Sequence, residues 1–239
     1  TYLLVSMQLQ ISKIASKIEV SDDQMGFTVH LNPKAKWSDG KPITSEDFKF
    51  TLATIMDPKN IVGPFRSTYD KFEEPEILDA HTFQIRAKEL HWQNLNALAQ
   101  FSILPKHALE GKDFNKVDFE FPVVSGRYEI EEIKDGIYVR FNRRSDWWLD
   151  DQKRYQGIDN FEAIEYRFYP EREMIFEAFK KGEVDIFGMA TSTIWNEGCR
   201  GEAFDKNWII KQKVFNSEPM PYQGYAINMR REPYKDRRV

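Results

Sequence analysis

The residues of this sequence that could do chemistry are four histidines, one cysteine and a few adjacent acids. His30, His81, His91 and His107 could ligate a metal or shuttle protons. A metal site needs ligands grouped at short spacings, as in HExxH, and no such group or carboxylate partner surrounds any of them. They read as solvated or packing residues. Cys199 stands alone, which excludes an internal disulfide and a CxxC metal knuckle. A reactive thiol would need activating neighbours, so Cys199 reads as a small, partly buried side chain. Glu73-Glu74, Glu131-Glu132 and Asp150-Asp151 could in principle supply an acid and a base, yet consecutive side chains point apart and such doublets read as surface charge. There is no G-x-S-x-G elbow, no Walker loop and no G-x-G-x-x-G after a strand. A chain rich in Tyr, Trp and Phe but without a reaction centre suits ligand binding better than catalysis. No enzyme activity, metal or cofactor is expected.

The elements that must position these residues alternate. Period-two patterns over Phe27-Val29-Leu31, Phe83-Ile85-Ala87, Ile137-Val139-Phe141, Ile164-Tyr166-Phe168 and Tyr225-Ile227-Met229 predict strands with one buried face. Thr44-Ser45-Glu46-Asp47 has the residue types of a capping box, and Phe48, Leu52, Ile55 and Met56 follow on one helical face until Asp57-Pro58. A second helix is expected after Pro170, burying Ile175, Ala178 and Phe179 and ending with Lys180-Lys181 before Gly182. A third is expected from Trp92 through Leu98-Ala99, stopping before Pro105. Strands and helices mixed in this way predict an α/β or α+β fold. The best boundary is Phe121-Pro122-Val123-Val124-Ser125-Gly126, between a charged loop and strand-rich sequence.

Composition narrows the partners. The 239 residues are enough for one large domain or two modest ones, and 41% hydrophobic with 14% aromatic residues place the chain in the globular class. Its 38 acids and 34 bases are scattered, net −4, so nucleic acid and anionic membranes drop out as electrostatic partners. No apolar run approaches the ~20 residues needed to cross a bilayer, and nothing resembles a signal peptide. Opening at Thr1 without methionine and stopping abruptly at Val239, the chain reads as a piece of something longer.

One stretch carries a family signature. Lys36-Trp37-Ser38-Asp39-Gly40-Lys41-Pro42-Ile43-Thr44-Ser45-Glu46-Asp47-Phe48, preceded by a strand pattern, resembles the W-x-D-G-x-P-x-T-A-x-D step of the family 5 extracellular solute-binding proteins, with Ser45 where alanine is commoner. The local physics is independent of the name: Asp39-Gly40 makes a tight turn, Pro42 fixes the approach and Thr44 caps the helix. Further landmarks follow in family order. Ser125-Gly126-Arg127-Tyr128 is similar to the G-[ST]-G-P-Y turn with Arg127 for proline, and Asn142 to Trp148 resembles the R-N-P-x-Y-W box. Phe179 to Ile186 is similar to F-x-x-G-E-[IV]-D, and Tyr222 to Asn228 with Pro233 to Val239 resembles Y-x-G-[FY]-x-x-N…P-[FY]-x-D-x-R-V. Leu90 to Leu95, Ile103 to His107 and Glu110 to Asn115 further resemble the YejA-like oligopeptide receptors.

The resemblance implies an α/β, periplasmic binding protein-like type II fold, mixed sheets flanked by helices, incomplete because the second lobe is missing. Residues 1–124 would form the small extra domain of the family and 125–239 part of the first lobe. It implies a receptor outside the cytoplasmic membrane that captures oligopeptides and delivers them to the permease subunits of an ABC importer, acting as a monomer. Peptide recognition would rest on backbone hydrogen bonds in roomy hydrated pockets. The implied binding residues are Tyr222, Gln223, Gly224 and Tyr225, where glycine admits a ligand backbone, with Tyr69 reaching a side chain. Trp37, Trp147, Trp148 and Trp195 could line a pocket, but at their motif positions they read as core. Because a fold does not fix a ligand, a same-fold receptor for an oligosaccharide, metal chelate or opine remains an alternative, as does a protein-interaction module without a transport role.

Overall fold

The computed structural model describes residues 13–116, 123–189, 191–215, 224 and 227–236. The chain divides into two compact units, residues 1–168 and 169–239.

The first unit holds two antiparallel sheets. In the four-stranded one, β1 (Ala15–Val20), β2 (Gly26–Leu31), β3 (Glu76–Asp79) and β4 (Thr82–Arg86) are ordered β1-β2-β4-β3. The period-two pattern of β2 and β4 buries Phe27, Val29, Leu31, Phe83 and Ile85 on one face. Helix α1 (Ser45–Met56) lays Phe48 and Leu52 on that face, and Phe48 stacks on Phe83 with ring centroids 4.0 Å apart. Each such side chain taken from water contributes about 1.5–3 kcal/mol. Short helices α2 (Pro64–Tyr69) and α3 (Asn94–Ala99) complete this core with Tyr69, Ala97 and Leu98. Helix α4 (Lys106–Leu109) follows. The three-stranded sheet is a meander of β5 (Tyr128–Lys134), β6 (Tyr138–Arg143) and β7 (Ala163–Arg167).

The second unit contains α5 (Arg172–Lys180), a π-helical turn (Ile194–Gly198) and α6 (Glu202–Asp205). Gly182 takes φ +78° just past α5, the left-handed conformation that ends helices.

Some expected elements differ in the structure. The helix expected from Trp92 begins at Asn94, whose side-chain amide donates to the Glu89 carbonyl at 2.9 Å, and Trp92 is 75% exposed. In α5 the buried residues are Phe176 and Ala178, while Ile175 and Phe179 are half-buried, because Phe176 and Phe179 both pack on Phe187. The strand expected at 225–229 is not one where it is described, since Ile227 and Asn228 are irregular and Met229 begins a turn; Tyr225 lies outside the described residues. The fold class is the expected one, mixed α/β with sheets and helices. The change of domain expected after residue 124 falls inside the first unit, between its two sheets.

Candidate functional site

The Trp-Ser-Asp-Gly turn and the helix it launches form one hydrogen-bonded assembly. Trp37 N–H donates to the Lys41 carbonyl at 2.9 Å and Gly40 N–H to the Trp37 carbonyl at 3.0 Å, with Gly40 at φ +82°. Trp37, Ala35 and Ile43 are packed as a small core at 2% exposure or less. Asp39 accepts from Lys41 N–H at 3.1 Å, and its other oxygen lies 2.6 Å from His107 Nε2 on α4. Burial pushes the Asp39 carboxyl up, but the Lys41 amide and His107 outweigh it and hold it below the usual carboxylate range.

Asp47 joins α1 to α4. Its carboxylate, on a residue 4% exposed, accepts from Thr44 N–H at 2.8 Å, from the Thr44 hydroxyl at 3.1 Å and from Lys106 N–H at 2.8 Å. One turn on, the Thr51 hydroxyl donates to the Asp47 carbonyl at 2.6 Å and accepts from Leu104 N–H at 2.8 Å. The expected capping box is thus also a clamp on residues 104–106.

Around the second signature, Arg127 is the organising side chain, 6% exposed. Its guanidinium pairs with Asp150, donates to the Tyr155 carbonyl at 3.3 Å and lies 5.1 Å from the Trp147 ring centre. Trp147 Nε1 donates to the Ser125 carbonyl at 3.0 Å, and Arg144 donates to the Gly126 carbonyl at 3.1 Å and to Asp146 at 3.1 Å. The 125–128 turn is therefore fastened to the 142–155 segment from both sides. Two hydrogen bonds between Ser38 and Val124, of 2.7 and 3.1 Å, tie this region back to the first turn. Trp148 packs against both the Trp37 cluster and the Trp147–Leu149–Tyr155 cluster.

Of the expected binding residues, Tyr222, Gln223 and Tyr225 lie outside the described residues, and Gly224 is exposed. Tyr69 is 6% exposed, its ring set edge-on to Phe101 at 4.9 Å, and burial pushes its hydroxyl pKa up. It stands in the core of the four-stranded sheet unit. Trp37 and Trp147 are core residues, as expected. Glu74 with Lys49 and Glu131 with Arg140 pair at the surface as expected, whereas Asp150 is half-buried against Arg127. Among the described residues no three His, Cys, Asp or Glu converge as metal ligands, and no helix is long and apolar enough to cross a membrane. The described signatures build a scaffold; what the sequence missed is the Arg127–Asp150 pair, signalled only by arginine at a position where the family turn has proline.

Residues 11–239 match the bacterial extracellular solute-binding proteins, family 5, middle portion. The peptidoglycan-binding protein YepA of Agrobacterium fabrum is 28% identical over 235 residues, covering 95% of this chain and 38% of its own length. YejA of Escherichia coli is 28% identical over 226 residues, covering 95% and 37%. The chain thus spans well under half the length of these relatives. Among solved structures, the ABC transporter substrate-binding protein CtaP of Listeria monocytogenes superposes with TM-score 0.61 at 28% identity, over 72% of this chain and 34% of that one. The MoaA receptor of A. tumefacien R10, in complex with mannopinic acid, gives TM-score 0.60 at 29% identity over the same shares. With a family match over residues 11–239, the chain belongs to family 5 of the bacterial extracellular solute-binding proteins.

Proposed function

We propose that this chain serves a receptor that binds oligopeptides outside the cytoplasmic membrane and delivers them to the permease subunits of an ABC importer. The observation that carries this reading is the family match over residues 11–239, joined to a relative named for peptidoglycan binding that covers 95% of the chain. The proposed contact segment is Tyr222, Gln223, Gly224 and Tyr225, where a glycine lets a ligand backbone approach closely. Tyr69, the further contact implied by the family resemblance, is 6% exposed and packs its ring edge-on to Phe101. In this reading the receptor works as a monomer without catalysis; among the described residues one member of each acid doublet, and His107, is engaged in an ion pair.

A second reading, a non-peptide solute, is favoured by one observation: the MoaA structure, at 29% identity, holds mannopinic acid. Calorimetry of the full-length receptor separates the two. Tri- to pentapeptides, including peptidoglycan stem peptides, should bind at micromolar Kd or tighter, with mannopinic acid and oligosaccharides silent. Binding of the opine alone would replace the peptide reading. Gly224→Val should weaken peptide binding at least about tenfold, the equivalent of about 1.4 kcal/mol, at an unchanged melting temperature. Unchanged affinity would move the contact away from this segment.

A further inference from the structure

Three acids within residues 39–47 grip two consecutive residues of α4. Asp47 accepts from the Lys106 N–H, Glu46 lies 3.1 Å from Lys106 Nζ, and Asp39 lies 2.6 Å from His107 Nε2, across 68 positions of sequence. The segment they hold helps to close the first unit: Phe101 and Ile103, just before α4, pack on the core of the four-stranded sheet, and the Thr51 hydroxyl holds Leu104 N–H. Backbone amides, lysines and ordinary carboxylates keep their charge between about pH 5 and 8, whereas histidine is the side chain that does not. Of the three grips, only the one on His107 contains it.

The geometry around His107 decides where its second proton goes. An ionised carboxylate only accepts hydrogen bonds, so Nε2 donates to Asp39 Oδ2 and keeps its hydrogen in both charge states of the ring. The proton that solvent adds is then the one on Nδ1. The Asp39 carboxyl, held below the usual carboxylate range, stays ionised throughout that interval. Protonating Nδ1 therefore turns a hydrogen bond from a neutral ring into an ion pair with the same partner at the same 2.6 Å. Charges on each packed element bear on this pair. Lys41 in the turn lies 3.7 Å from the same Asp39 oxygen and competes with the ring, Glu46 and Asp47 on α1 are taken up by Lys106, and Lys106 and Glu110 flank His107 in sequence.

We propose that Asp39 and His107 form a proton-gated latch, which tightens α4 onto the Trp-Ser-Asp-Gly turn as the pH falls from about 8 to about 5.5. Both side chains are partly exposed, so the gain is that of a screened pair: about fivefold in the constant for local opening, the equivalent of about 1 kcal/mol. Hydrogen exchange in the full chain reads that constant at the Leu109 and Glu110 amides, which donate to the Pro105 and Lys106 carbonyls, once intrinsic exchange rates are divided out. Opening in the parent should be about fivefold rarer at the lower pH. His107→Gln and Asp39→Asn should each abolish the difference, whereas His107→Arg, a fixed cation, should keep opening rare at both pH values. Lys41→Met, which removes the competitor, should leave the difference in place. Equal opening at the two pH values in the parent, or a difference that survives His107→Gln, overturns the latch. An independent arm needs no substitution: the Asp39 Cγ resonance should shift in step with that of His107 Cε1 over the same interval, and an Asp39 signal that stays flat while His107 titrates refutes the pairing.

Discussion

Replacing Asp47, buried in the first turn of α1, with alanine should destabilise the chain strongly. The carboxylate satisfies two backbone donors, Thr44 N–H and Lys106 N–H, both at 2.8 Å, and the Thr44 hydroxyl at 3.1 Å. Hydrogen bonds to a charged acceptor contribute about 1.5–3 kcal/mol each, and Asp47 sits at 4% exposure, where water replaces it poorly. Its loss from the first turn of α1 also removes a negative charge from the positive end of the helix dipole, about 0.5 kcal/mol. Over the two backbone donors and the dipole the sum is roughly 3.5–6.5 kcal/mol, a large fraction of a typical domain stability of about 5–15 kcal/mol. Asp47→Asn should lose roughly half as much, because one carboxylate oxygen becomes an amide donor facing an N–H donor. Thr44→Ala, which removes only the hydroxyl, should lose about 1 kcal/mol or less. Urea denaturation followed by tryptophan fluorescence reads these differences from the midpoint at constant m. An Asp47→Ala midpoint within the error of the parent would show that α1 and α4 are held by side-chain packing and that the carboxylate is incidental.

Arg127→Met should cost about 2–4 kcal/mol, since it abandons the Asp150 partner and the Tyr155 carbonyl while only the aliphatic packing on Trp147 survives; calorimetric melting checks it, and a variant as stable as the parent would make the pair dispensable. The depressed Asp39 carboxyl contributes stability that is complete above the ordinary aspartate value of 3.8 and is lost as pH falls through its lower folded value. Asp39→Asn should therefore flatten the acid limb of the stability curve below about pH 4, and an unchanged limb would assign that limb to other carboxylates.

Sequence pattern located what is short in range. The Thr44–Asp47 box, the Gly40 turn and the period-two strands involve residues one to four positions apart, and local sterics or a single buried face decide them. What escaped depends on distant partners. Arg127 gains its role from Asp150 and Tyr155, 23 and 28 positions away, and nothing in Ser125-Gly126-Arg127-Tyr128 announces them. The burial of Tyr69 likewise depends on Phe101 and on the Ala97 carbonyl, far along the chain, which nothing in the short α2 helix announces. Trp92 was drawn into a helix by its apolar character, while Asn94, bonded back to Glu89, sets the actual start. The proposed contact segment was legible only through the family resemblance, since Tyr222, Gln223 and Tyr225 have no chemistry that singles them out from other tyrosines and glutamines of the sequence.

Trp148 belongs to two cores at once, touching the Ala35–Trp37–Ile43 cluster on one side and the Trp147–Leu149–Tyr155 cluster on the other. A side chain shared in this way ties the histories of two sequence segments together. A smaller residue at Ile43 leaves room that Trp148 must move to fill, and that movement loosens Leu149 and Tyr155, more than a hundred positions downstream. Substitutions in residues 35–43 are therefore expected to favour compensating changes in residues 147–155, across the break between the two sheets.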